Sequence, residues 1–141
     1  MNDEEKEVIK KLLKLYPDVI KDLGGESIVS NEGQIEHIGS YIKNHKWFVN
    51  EGLPFTVNMD EAFFSWHENV YVPQINAMKE TNIASILSKY SKFEIFQIVS
   101  DEYYYLKEKD KEAYYDKACY AVIKREAKSF IKRFSAGLKL K

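Results

Sequence analysis

Apolar residues recur along this chain every three or four positions, and no stretch sustains the every-second-residue pattern of a strand. From Asp3 to Leu23, Val8, Ile9, Leu12, Leu13 and Leu15-Tyr16 form one stripe with Lys and Glu on the other face, predicting a helix over 3–23. Pro17 should kink or split it and Gly24-Gly25 should stop it. Residues 26–32 read as a connector that plugs Ile28 and Val29 into the core. A second helix is predicted over 33–51, with Ile35, Ile38, Tyr41, Ile42, His45 and Phe48-Val49 near one face. Asn58 is a good N-cap, with Asp60 and Glu61 in the first turn where the helix dipole favours acids. The stripe from there runs through Phe63, Trp66 and Val70 to Ile75 and Met78, and Pro73 should bend it.

Thr81-Asn82 should cap a short helix reaching about Tyr90. Ser91 followed three residues on by Glu94 is a capping box, opening a helix to about Lys109. Asp110 should cap the last helix, which carries Tyr114, Ala118, Val122, Phe130 and Phe134 and closes at Gly137. No Asn-Gly or Asp-Gly hairpin signal occurs. The fold class expected is all-α.

Part of this pattern is written twice. His45-Lys46-Trp47-Phe48-Val49-Asn50-Glu51 is echoed by Glu102-Tyr103-Tyr104-Tyr105-Leu106-Lys107-Glu108. Each run leads into a second helical stretch. The repeat predicts two related helix-hairpin units, about 33–80 and 91–136, packed as one compact domain over 1–141 behind the N-terminal helix. The pairs Trp47-Phe48 and Tyr104-Tyr105 are expected in its core, near the pseudo-repeat interface.

Composition narrows the function classes. The 141 residues carry a net charge of −1, so no overall field draws the chain to nucleic acid or membrane. One cysteine, Cys119, excludes an internal disulfide and fits a reducing, cytoplasmic setting. The acidic N-terminus does not read as a signal peptide, and no apolar run approaches a membrane span. No phosphate-binding loop, dinucleotide fingerprint or nucleophile elbow is present.

Chemistry candidates are sparse. His37 and His45 stand eight residues apart on one helix, about 12 Å of rise, too far to share an ion. No metal site or cofactor is therefore implied, and His45 reads as a packed histidine bonded to an acidic neighbour. Cys119 reads as a buried structural thiol. Glu102 and Glu108 are the carboxylates expected to face inward. A small-ligand pocket would be built from His45, Glu51, Trp66 and Tyr71. The one charge asymmetry is the stretch from Lys124 to Lys141, with seven Lys and Arg against Glu126 alone. Lys128, Lys132 and Arg133 are its candidate phosphate contacts.

The spacing of Gly33, Glu36, Ile42, His45-Lys46-Trp47-Phe48-Val49, Val57, Glu61-Ala62, Ser65-Trp66, Val70-Tyr71 and Pro73 resembles the helical domain that follows a ParB-like domain in bacterial proteins often labelled transcriptional regulators. Ile95-Phe96 and Tyr104 to Glu108 are similar to that domain's continuation. Here the chain has Ser88-Lys89-Tyr90-Ser91 where that family has a Phe-Pro-Gly-Arg-Thr turn, and it has no room for the ParB-like domain. The resemblance implies a helical fold and a bacterial setting, and carries no activity over. The sequence leaves three functions open. The first is a non-enzymatic regulatory module working through protein partners or self-association. The second is a nucleic-acid accessory protein using the basic C-terminal helix. The third is a ligand binder or enzyme with a pocket near His45.

Overall fold

The computed structural model describes the backbone of residues 1–139 and the side chains of residues 1–129. Lys132 and Arg133, like Phe130 and Phe134, therefore have side chains outside the described residues. Every regular element of the described chain is a helix, and none is a strand. Its helices are α1 (Asp3–Lys14), α2 (Pro17–Leu23), α3 (Ser27–Ser30), α4 (Glu32–Glu51), α5 (Met59–Trp66), α6 (Val72–Thr81), α7 (Ile83–Ile86), α8 (Lys92–Lys109) and α9 (Tyr115–Lys139). A π-helical turn, His67–Tyr71, joins α5 to α6.

Local chemistry sets most of these ends. The Asn2 side chain accepts from the Glu5 N–H at 2.8 Å, and that of Asn31 from Gln34 at 3.0 Å, satisfying donors that a helix start leaves open. Asn58 and Ser91 each form a complete capping box, with Glu61 and Glu94 bonding back to the cap N–H. Pro17 splits the N-terminal helix by opening α2 at its first position, where its missing N–H costs nothing. Gly24 and Gly25 have φ of 133° and 90°, and both donate to the Ile20 carbonyl; only glycine takes such angles without strain. Removing the Ser91 hydroxyl isolates one of these devices. Ser91→Ala should cost about 0.5–2 kcal/mol in a urea titration, and a neutral result would put the start of α8 elsewhere.

Three boundaries differ from the sequence expectation. Thr81 donates to the Ala77 carbonyl at 2.8 Å and Asn82 sits in the left-handed region at φ 55°, so neither caps α7, which is a single turn. Asp110 closes α8 instead of opening α9; its carboxylate accepts from the Glu112 N–H and pairs with Lys117 at 2.8 Å. The last helix passes Gly137 and is described as far as Lys139.

The chain divides into two compact units, residues 1–72 and 73–141. In the first, α4 packs against α1, α3 and α5. Its core holds Ile9, Leu13, Leu23, Ile28, Ile35, Ile38, Ile42, Phe63, Trp66 and Tyr71. Lys6 and Lys10 bridge α1 to Glu32 of α4 at 3.2 Å each, and Lys43 reaches Glu5 at 2.6 Å. At Gly39 the helices approach closely. A Cβ there would collide with both Cε and Sδ of the Met1 thioether, while Ile9 stands at an ordinary 3.6 Å. Because Met1 Cε is the end of a flexible chain, Gly39→Ala should stabilise by about 0.5–1 kcal/mol through helix propensity. A drop in melting temperature would show that Met1 cannot yield.

In the second unit α8 and α9 pack as a hairpin over Ala77, Ile83, Leu87, Ile95, Val99, Ala118, Cys119 and Val122. Gln74 is buried; it donates to the Phe96 carbonyl at 3.0 Å and accepts from the Ser100 hydroxyl at 3.1 Å. Cys119 is buried too, which pushes its thiol pKa up and suits the structural role expected of it.

Several surface carboxyls are held below their ordinary values. Glu5 is held by Lys43, Glu32 by Lys10, Glu94 by the Ser91 N–H and Asp110 by Lys117. Lowered carboxyls contribute stability fully above about pH 4.3 and lose it as pH falls through the lowered values. Urea midpoints should therefore fall on acidification below about pH 4, and added salt should reduce the drop. A flat acid limb would show these pairs to be solvated.

Candidate functional site

The aromatic pairs of the repeat are not in the core. Trp47 and Phe48 are 66% and 71% exposed, and Tyr104 and Tyr105 are 51% exposed each. Helix geometry gives the reason. At 3.6 residues per turn, Trp47 stands about 180° from Ile38 and about 140° from Ile42, as Tyr104 does from Ile95 and Val99. The buried faces of α4 and α8 are set by those aliphatic residues.

The four residues proposed to line a pocket have separate fates. Glu51 is exposed at the end of α4. His45 Nε2 lies 2.8 Å from the Ser65 hydroxyl, so its partner is a serine and not the acid expected. Burial pushes its pKa down, favouring the neutral imidazole. Ser65 also receives the Asn69 amide at its carbonyl, 3.0 Å, and at its hydroxyl, 3.3 Å. Trp66 and Tyr71 are buried core residues at opposite ends of the π turn.

That turn explains their placement. Pro73 has no N–H to offer the carbonyl four residues back, Asn69. One residue earlier, the Val72 N–H reaches back five residues to the His67 carbonyl and widens the helix. On a regular α-helix Trp66 and Tyr71 would stand about 140° apart; the wider turn closes that angle, and both are 1% exposed with rings 5.4 Å apart. Where the sequence predicted a bend at Pro73, the structure places a π bulge beside it.

The turn also builds a polar cluster that sequence spacing did not reveal. His67 Nε2 lies 2.6 Å from Asp18 Oδ2, and Nδ1 lies 3.3 Å from Glu68. Tyr16 and Tyr71 flank the imidazole at 4.7 and 5.3 Å between ring centres. The Tyr71 hydroxyl donates to Asp22 at 2.7 Å, and burial together with that carboxylate raises its pKa. Asp18 and Asp22 lie one helical turn apart on α2, 49 residues from their partners. The polar atoms satisfy one another and tie α2 to the turn. Among the described residues no group of three or more His, Cys, Asp or Glu could hold a metal ion.

Open apolar surface lies elsewhere in the first unit. A shallow groove of about 510 Å³ is lined by Val49, Leu53, Phe55, Val57 and Phe64, together with Asp60, Glu61 and Ser65. Phe55 and Phe64 are 60% and 57% exposed. None of His45, Glu51, Trp66 and Tyr71 lines it, although His45 bonds its Ser65 edge. The groove forms where Gly52-Leu53-Pro54 ends α4 and the chain returns as α5; the Asn50 side chain holds the Val57 N–H at 2.8 Å across that return.

The expected inward carboxylates also part ways. Glu102 is largely buried and pairs with Arg125 at 3.0 Å, while Glu108 is exposed. On α9, Lys128 is exposed. Charge is divided between the units. Residues 1–72 hold seven lysines against thirteen Asp and Glu, net −6; residues 73–141 hold fourteen Lys and Arg against nine, net +5. Among the described residues no helix is long and apolar enough to cross a membrane.

No family model, curated protein or solved structure matches this chain.

Proposed function

We propose that this protein is a non-enzymatic contact module of the bacterial cytoplasm. In this proposal it is built on two related helix-hairpins, α4–α5 and α8–α9, and akin to the helical domain that accompanies ParB-like domains. The observation that carries the reading is the apolar groove of residues 49–64 with Phe55 and Phe64 open to solvent. Exposed rings gathered around one apolar groove suit contact with another protein. The polar clusters give catalysis no comparable support: the His67 and Tyr71 groups are engaged with Asp18 and Asp22, and the Ser65 hydroxyl with His45 and Asn69.

A photocrosslinking residue placed at Phe64 in host cells tests this. Discrete protein adducts are expected at 64 and not at Lys14 on the exposed side of α1. Equal, diffuse labelling at both positions would remove the reading.

The net +5 of residues 73–141 favours a second reading, contact with nucleic-acid phosphates through Lys128, Lys132 and Arg133. Tyr120 stands beside Lys124 on α9, but the other exposed tyrosines that could stack on bases lie in an acidic stretch. Residues 101–117, around Tyr104, Tyr105 and Tyr114, hold six acids against four lysines. Changing the three cations to Gln should flatten a log affinity against log salt plot by about two to three units if they bind duplex DNA. No binding at low salt would end this reading.

A further inference from the structure

We infer that the groove on the acidic unit receives the basic face of α9 from a second copy of this chain. The inference rests on the contact-module reading above and names the partner. The groove combines an open apolar floor with the carboxylates of Asp60 and Glu61, and no cation lines it. Its occupant should therefore present a large ring beside lysines. The chain carries such a surface. Tyr120 is 59% exposed on α9, and Lys124 and Lys128 follow at four-residue spacing, both exposed. The three share one side of the helix, roughly opposite the buried Ala118, Cys119 and Val122. The division of charge, −6 on residues 1–72 and +5 on 73–141, favours the approach of unlike units from two copies and opposes that of like units. Such a contact is heterologous: each copy offers a groove and a basic face, so association continues into rings or chains.

The test uses full-length, nuclease-treated protein in sedimentation velocity. Wild type should associate with rising concentration. Its apparent Kd should weaken at least about tenfold between ~0.1 M and ~1 M NaCl, where the Debye length shrinks from about 10 to about 3 Å. A groove variant, Phe55→Asp with Phe64→Asp, and a basic-face variant, Lys124→Glu with Lys128→Glu, should each be monomeric. Mixed in equal amounts they should form a one-to-one dimer and stop, because one intact groove meets one intact basic face. Circular dichroism confirms that each variant folds, and Phe55→Ser with Phe64→Ser replaces the first if it does not. Monomeric wild type at high-micromolar concentration overturns the inference; adducts at residue 64 to other proteins would then leave the contact-module reading intact. Association that the mixed variants fail to reproduce also overturns it, and points to grooves meeting face to face.

Discussion

Trp66→Ala is expected to unfold most of the margin of this protein, costing about 3–5 kcal/mol, while Trp47→Ala should change stability by no more than about 0.5 kcal/mol. Trp66 is 1% exposed, with Phe63 packed edge-on at 5.7 Å and Tyr71 at 5.4 Å. Its removal opens a cavity among rings that cannot collapse fully, held by helix packing and by the π turn. Trp47, at 66% exposure, loses little burial on truncation. Typical domains hold about 5–15 kcal/mol in all, so the first variant should be marginal at room temperature and the second ordinary. Urea titration followed by far-UV circular dichroism decides between them. Equal losses at both positions would mean that the buried face of α4 is wrongly assigned.

Gln74→Leu should cost about 1–3 kcal/mol, because it removes an acceptor of the buried Ser100 hydroxyl and a donor to the Phe96 carbonyl. The cost should fall toward the lower end, since Ser100 can turn its hydroxyl to the Phe96 carbonyl four residues back. Adding Ser100→Ala to Gln74→Leu should then recover part of the loss, as the orphaned hydroxyl goes with it. A double-mutant cycle measures the coupling. Purely additive losses would show that the two side chains do not act on one another.

Much of the helical plan was legible because it is local. The Ser91–Glu94 and Asn58–Glu61 caps, the break at Pro17 and the stop at Gly24-Gly25 each depend on residues within one turn. The burial of Cys119 followed from its apolar neighbours on one helix face. Asp110 misled because an acid between two helices can serve either end; its N–H bonds the Leu106 carbonyl at 2.8 Å, which makes it the close of α8, and α9 opens only at Tyr115. The candidate pocket misled for a different reason. His45, Glu51, Trp66 and Tyr71 are chemically suggestive, but whether they converge depends on the rotation of α4 and on one extra residue in the helix after Trp66.

The sequence by itself determined that the chain is helical, where most helices begin and which aliphatic stripes are buried, since periodicity and capping act over three or four residues. Only the tertiary structure decided which aromatics leave the core. Adjacent rings such as Trp47 and Phe48 cannot both follow a stripe that turns 100° per residue, and the stripe was claimed by Ile35, Ile38 and Ile42. The pairing of His67 with Asp18 and of Tyr71 with Asp22, and the open groove around Phe55 and Phe64, likewise came from the fold. These features join residues up to 49 positions apart, or arise where the chain reverses between α4 and α5, and pairings at that range are set by packing.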